Sequence, residues 1–499
     1  MSTEPSPRWD SWGLFTRVVG LYLLLHIVLR MSLSSTMLID DAEQALFIQS
    51  LAWGYGIGQP PLYTWLAWIF SMFFGPGLLA LTMLKYTLLF ATFGYLFAAS
   101  RRLFNDDRLA LLAPLSLLLI SPFAWRAHEG FTHTMLLALA CAASYHALLR
   151  LRDEDSARHY ILFGMWLAVG ALSKYSFPLF ALPLIGAALL VAEYRQRLLD
   201  RRIFASIAIM VVLTLPHFSW LYENLDQLQR YYASTVQAQS ELGWFEGIGS
   251  GLYNLGKASL YYLVPFVLIV PLLFPRALWP QGSSTNPEQR LLGWFLLIAY
   301  GFLLLHILGG ATYFKARWMH PVLLLFPLWF FLRVEAVGAG RRAVKLYVFI
   351  LMALTLLVAG VRIAQMHLFP DYQRYERIQI PMVALSKQVL KSGFEKGTVV
   401  ASSNFLAAHL LGQFPQARVI SLDTPYYQPA YRSPGDCLLV WRDRGKGVPK
   451  KMRDFLGSEL GVALSVNEPR VRHVMNYFGS DKRYAIAYTM IRKGRGGCR

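Results

Sequence analysis

Hydrophobic positions along the chain gather into long runs, separated by short polar stretches rich in arginine. The runs predict eleven membrane helices, at about 14–33, 78–99, 109–124, 132–149, 160–173, 177–192, 203–220, 258–274, 291–308, 320–334 and 346–363. Between the first two, Glu43–Trp53 and Leu62–Phe74 are too short or too amphipathic to span and are expected along the interface. From about Met366 the pattern becomes that of a soluble domain, with strands expected at Thr398–Ala401, Arg418–Leu422, Cys437–Trp441 and Tyr484–Ile491 and helices between them. The expected architecture is a polytopic α-helical membrane protein over residues 1–365, with an outer loop at 34–77, followed by a soluble C-terminal α/β domain over residues 366–499.

Composition agrees with this pattern: 55% of residues are hydrophobic, 15% are charged, and the mean hydropathy is +0.39. The first apolar run lacks a small-residue cleavage site, so it is expected to be a retained helix. A net charge of +19 would suggest nucleic acid as the partner of a soluble protein. Here the arginines cluster in alternate loops (Arg101, Arg102 and Arg108; Arg150, Arg152 and Arg158; Arg195 to Arg202; Arg333 to Lys345), as the positive-inside rule requires. Those loops are therefore expected in the cytoplasm of a bacterium, with the protein in its inner membrane, the N-terminus inside and the C-terminal domain in the periplasm. The C-terminal segment itself carries about +11, which suits an anionic membrane surface or a phosphorylated acceptor. Of three cysteines, Cys141 lies in an apolar run, while Cys437 and Cys498 can pair only in an oxidising compartment.

The unusual polar residues gather on the outer side. Asp40 and Asp41 follow the first run directly; ionisable residues at such a place are costly to keep without a function. The same side holds Gln59-Pro60-Pro61, Arg126 to Glu129, Thr132-His133-Thr134, Ser173-Lys174-Tyr175, His217, and Lys315 to Trp318. Transporters more often bury such groups at mid-bilayer. Outside the inner membrane there are no nucleotide sugars, and the chain has no phosphate-binding glycine loop. A transfer reaction there needs a donor carried in the membrane, such as a sugar on a polyprenyl phosphate. It also needs a carboxylate to take the acceptor's proton and cations to hold the leaving phosphate. Asp40 or Asp41 suits the first task, and Lys174, Arg317 and Lys315 suit the second.

Asp40-Asp41-Ala42-Glu43, Trp53-Gly54-Tyr55 and Gln59-Pro60-Pro61-Leu62-Tyr63 resemble the first outer loop of the GT-C glycosyltransferases related to protein O-mannosyltransferases and the lipid A aminoarabinose transferase. Leu172 to Tyr175 and Ala316 to Pro321 are also similar to bacterial members. The resemblance covers the membrane part and implies an inverting transfer from a polyprenyl-phosphate sugar to lipid A, lipopolysaccharide, another glycolipid or a protein. It makes Asp40 the catalytic carboxylate and Asp41 the second acidic position. Gln59, Tyr55, Tyr63, Tyr175 and His217 are expected around the substrate. Where many members place an acidic residue and a Lys or His before the two prolines, this chain has Gly58-Gln59, so that family contact does not carry over.

No cofactor is firmly implied. His128, Glu129 and His133 lie close in sequence and, with Asp40, are a candidate set for a divalent metal cation. A lipid-linked sugar flippase that binds phosphate without transfer chemistry is the alternative reading. A glycan polymerase or ligase is disfavoured, because the longest outer loop, Leu221–Lys257, is rich in Gln, Tyr and Gly rather than in Arg and His.

Overall fold

The computed structural model describes residues 11–227, 243–279, 286–367, 377–430, 434–464 and 468–499. Part of the long outer loop, residues 228–242, lies outside the described residues. The first four helices are α1 (Ser11–Leu33), α2 (Ile39–Phe47), α3 (Leu62–Phe74) and α4 (Leu78–Leu103). Among the described residues seven helices are long and apolar enough to cross a membrane: α1, α4, His133–Asp153, Ile203–Glu223, Pro287–Leu308, His320–Val337 and Arg341–His367. Pro178–Leu190 and Ala192–Leu198 meet at a bend of 112° and make an eighth if counted as one span.

The three other expected runs are helical but broken or short. The run at 109–124 is divided into Asp107–Leu115, the tight turn Ser116–Leu119 and Ser121–Ala124. Pro114 and Pro122 sit at these breaks, where proline lacks the amide proton that a continuous helix needs. Pro265 similarly separates Trp244–Leu263 from Phe266–Leu273. Ala157–Ala171 is continuous, but its 15 residues reach only about 22 Å. Leu62–Phe74 is helical as α3, whereas α2 stops at Phe47 and leaves the rest of Glu43–Trp53 irregular.

The centre of the bundle is His133–Asp153, with 89% of its spanning window buried, against 17% for Ile203–Glu223 and Arg341–His367. Its run of Ala138, Ala140, Ala142, Ala143 and Ser144 explains this position. Small side chains let neighbouring helices approach closely where lipid offers no hydrophobic driving force.

The C-terminal region forms a five-stranded sheet of β1 (Gly397–Ala401), β2 (Arg418–Ser421), β3 (Asp436–Arg442), β4 (Val471–Asn476) and β5 (Arg483–Ile491), in the order β2-β1-β3-β5-β4. β1 pairs in parallel with β2 and β3, and β5 runs antiparallel to β3 and β4. Parallel neighbours need a crossover, and the helix Asn404–Leu411 supplies it between β1 and β2. The four expected strands are all present. The fifth, β4, alternates between half-buried and exposed positions at the sheet's edge and has little of the apolar signal by which strands are found.

This sheet is joined to the outer loop rather than hung from the bundle. Leu46, Phe47 and Tyr55 share a hydrophobic core with Val399, Val419, Leu438 and Leu410. The Gln49 amide donates to the Val419 carbonyl at 2.9 Å and accepts from the Val419 amide at 3.0 Å, so one side chain pairs with the outer strand as a neighbouring strand would. Tyr427 donates to the Phe47 carbonyl, and the His409 ring accepts from the Met37 amide. At Gly56 the backbone lies at φ +140°, and a Cβ there would come within 2.6 Å of the Tyr426 ring. Both facts require glycine.

Cys437 on β3 and Cys498 form a disulfide across 61 residues. Closing a loop of that length removes chain entropy worth about 4 kcal/mol from the unfolded state. Cys498→Ser is therefore expected to destabilise the sheet by about that much, measured as a lower temperature for proteolysis of the C-terminal region while the membrane bundle stays intact. Cleavage temperatures equal to those of the parent would contradict it.

Candidate active site

The site is built on the first turn of α2. Arg30, near the end of α1, donates to the carbonyls of Ser34 and Thr36, both at 2.7 Å, and so folds the chain back into α2. Asp40 and Asp41 then occupy the helix's first turn, where unpaired backbone amides favour negative charge. Successive helical residues point about 100° apart, so the two carboxylates face different surroundings.

Asp41 turns inward and is 1% exposed. Its partner is Lys85 of α4, 3.5 Å away and equally buried. Lys85 also donates to the Glu129 carbonyl at 2.5 Å. This ion pair holds α2, α4 and the turn before His133 together. It leaves Asp41 buried and paired, whereas its neighbour Asp40 is only half-buried.

Asp40 is half-buried, with Arg317 and Lys174 as its outward charge partners. Burial raises its carboxyl above the ordinary aspartate range, as does Asp41 beside it, while Arg317, Lys85 and Lys174 draw it back. One turn along, burial, Asp40 and Asp423 of the C-terminal region push Glu43 up to about 7. Lys174 donates to the Thr134 hydroxyl at 2.9 Å. Removal from water lowers it to about 8, Arg317 acts in the same direction, and Asp40 opposes both. Three groups far apart in the sequence thus share one electrostatic neighbourhood.

Arg317 and Lys315 sit on the turn before His320 and line a cavity of about 450 Å³ with Arg126, Phe131, Lys257 and Tyr261. Lys315 lies over the Tyr313 and Trp318 rings, at 5.1 and 5.5 Å. Gln59 lines a second, smaller hollow with Glu43, Thr64, His133 and Tyr426, and its buried side-chain oxygen has no partner among the described residues.

Several expected substrate contacts have other duties. Tyr63 is wholly buried against His133, so it presents no face to a sugar. The Tyr55 hydroxyl donates to the Ser50 carbonyl and accepts from the Ala52 amide, closing its own loop, although the ring edges the smaller hollow. His217 is buried between the Trp53 carbonyl at 2.7 Å and the Tyr175 hydroxyl at 3.2 Å. That chain of bonds ties the outer loop to Ile203–Glu223 and leaves neither ring directed at a ligand.

The metal expectation is also corrected. The Tyr22 and Tyr86 hydroxyls take the two His128 ring nitrogens, at 2.6 and 3.0 Å, and the ring stacks on His26. Arg126 and Trp125 hold the Glu129 carboxylate, both at 2.9 Å. The Gln44 amide donates to His133. The three side chains point into different surroundings, and among the described residues no group of three or more His, Cys, Asp or Glu converges.

Residue patterning gave no role to Lys85, Arg30, Glu43 or Lys257. For the first two a signal existed: a single charge within an apolar run, costly in a membrane unless paired. Arg362 is a third case; it donates to the His128 carbonyl from the last membrane helix.

Comparison with known proteins places this geometry in context. Residues 58–220 match the family model described as dolichyl-phosphate-mannose-protein mannosyltransferase. Two lipopolysaccharide core galacturonosyltransferases of Rhizobium johnstonii are similar over nearly their whole length. RgtB is 29% identical over 495 residues, covering 98% of this chain and 99% of that protein. RgtA is 30% identical over 489 residues, covering 95% and 96%. Among solved structures, ArnT from Cupriavidus metallidurans bound to undecaprenyl phosphate shares the fold, with a TM-score of 0.57 over 95% of this chain and 98% of that one, at 15% identity. The chain belongs to the GT-C glycosyltransferases, the family of these rhizobial enzymes.

Proposed function

We propose that this protein transfers a uronic acid, galacturonate, from a polyprenyl-phosphate donor to the lipopolysaccharide core or lipid A, with inversion at the anomeric carbon. The observation that carries it is Asp40, a half-buried carboxylate on the first turn of α2 whose charge environment includes Arg317 and Lys174. The choice of sugar and acceptor follows the two rhizobial relatives. In the proposed step Asp40 takes the proton of the acceptor hydroxyl. The hydroxyl oxygen bonds to the anomeric carbon, and the bond from that carbon to the phosphate oxygen breaks. The electron pair leaves with the polyprenyl phosphate, whose charge Arg317 and Lys174 stabilise. Asp41 acts through its pair with Lys85, as the group that holds Asp40 in place.

The proposed arrangement has a membrane catalytic domain over residues 1–365 and a C-terminal domain over residues 366–499, with the N-terminus in the cytoplasm. The protein would lie in the bacterial inner membrane, with its site and C-terminal domain in the periplasm. The arginine-rich loops support this orientation, and so does the Cys437–Cys498 disulfide, since such bonds persist in oxidising compartments.

Asp40→Asn is expected to lower kcat by roughly 10²–10⁴-fold, the usual contribution of a general base, with little change in KM. Release of polyprenyl phosphate from the galacturonate donor in the presence of core acceptor measures this. Near-normal release by the variant would sink the role given to Asp40, and donor movement without cleavage by the parent protein would favour a flippase.

The acid limb of kcat/KM is expected above the ordinary aspartate range, because Asp40 must be deprotonated and its carboxyl is raised. The alkaline limb is expected near 8, because Lys174 must be charged and loses its proton as pH rises through that value. In Lys174→Arg the alkaline limb should move beyond the measured range; an unchanged limb would remove Lys174 from phosphate binding.

Lys85→Met leaves Asp41 buried without a partner and is expected to destabilise the loop by about 3–5 kcal/mol. The readout is the temperature at which the purified variant loses its fold in detergent; a melting temperature equal to the parent's would argue against the ion pair as an anchor.

A further inference from the structure

The cavity beside Arg317 carries more positive charge than a polyprenyl-phosphate glycoside needs. That donor is a phosphodiester with one negative charge. Arg126, Lys257, Lys315 and Arg317 all line the cavity, and among the described residues no carboxylate does. Glu129 stands behind Arg126 at 2.9 Å and offsets one of these charges. Three remain, and Lys174 adds a fourth on the side toward Asp40.

The cations are also placed apart. In the proposed step Arg317, on the turn Ala316–Trp318, meets the departing phosphate. Lys257 comes from a different element. Asn254, Lys257 and Tyr261 recur at spacings of three and four along Trp244–Leu263, which puts them on one helical face, and all three line the cavity. Arg126 meets both Glu129 and the Tyr261 hydroxyl, so its guanidinium is fixed at the Tyr261 side of this wall. Lys257 has the Tyr253 ring at 5.8 Å and is otherwise exposed toward the cavity mouth.

We infer that Lys257, on the Asn254–Tyr261 face of the cavity wall, forms a subsite for the carboxylate of the donor sugar, distinct from the phosphate position at Arg317 and Lys174. This rests on the proposed galacturonosyl transfer and goes further by assigning the residue that tells a uronic acid from its neutral counterpart. The sugar carboxylate is carried on C5, separated from the anomeric carbon by the ring oxygen, so its anion-binding group must be a different one from the group that holds the departing phosphate. A neutral hexose would leave Lys257 unpaired within the occupied cavity, which disfavours it.

The test compares two donors that differ only at the sugar's sixth carbon: polyprenyl-phosphate galacturonate and polyprenyl-phosphate galactose. Purified full-length enzyme is assayed with core acceptor, and kcat/KM is measured for each. The parent is expected to prefer the galacturonate donor by about tenfold to a hundredfold, the range for a charge-assisted hydrogen bond. Lys257→Gln, at an exposed position where loss of fold is not expected, should lose most of that preference by slowing the galacturonate donor alone. Lys257→Arg should keep it.

Equal loss on both donors would overturn the subsite, because it would place Lys257 at the phosphate. No loss on either would overturn it too. A parent enzyme that uses the galactose donor in preference would instead overturn the choice of sugar, and the subsite with it; the parent's own ratio separates that failure from the other two.

Discussion

The outer loop depends on one buried ion pair. Asp41 and Lys85 are both almost fully removed from water, and each would be costly alone. Together they fix the first turn of α2 to the side of α4, and the Lys85 bond to the Glu129 carbonyl adds the turn before the central helix. Because neighbouring helical residues diverge, locking Asp41 inward leaves Asp40 facing out. The division of labour between two adjacent, chemically identical side chains therefore follows from helix geometry and one lysine.

A second constraint acts from the opposite side. The sheet presses on α2 and on the glycine-rich turn through the shared core around Phe47 and Tyr55. Gly54 lies against Trp220 and Gly56 against Tyr426, so the turn is confined between the bundle and the C-terminal region. Glu43 senses Asp423 across this boundary. The carboxylate-bearing helix is thus held by lysine on its membrane side and by backbone hydrogen bonds on its outer side.

Much of this was legible in the sequence, for physical reasons. Apolar runs of membrane length, and the change of pattern near Met366, are direct consequences of where each segment is dissolved. What the runs did not reveal is where proline breaks them, as at Pro114 and Pro265. Asp40, Lys174 and Arg317 were found because they interrupt the apolar pattern at an outer edge. His128, His133 and His217 interrupt it equally, yet each ring is used in packing and hydrogen bonding that no linear spacing reports. Lys85 carries a signal of the same kind, one charge within an apolar run, but its partner lies 44 positions away in the chain.

The Gln49 contact has a consequence for the sheet taken by itself. β2 is an outer strand, and an outer strand offers unpaired amides and carbonyls to any other strand that approaches. In the whole protein Gln49 occupies the Val419 position on that border, and the loop behind it shields the neighbouring positions. The residue that helps seat α2 therefore also keeps the sheet from recruiting other chains. A C-terminal fragment produced without residues 34–77 would lose this protection and expose a strand suited to self-association.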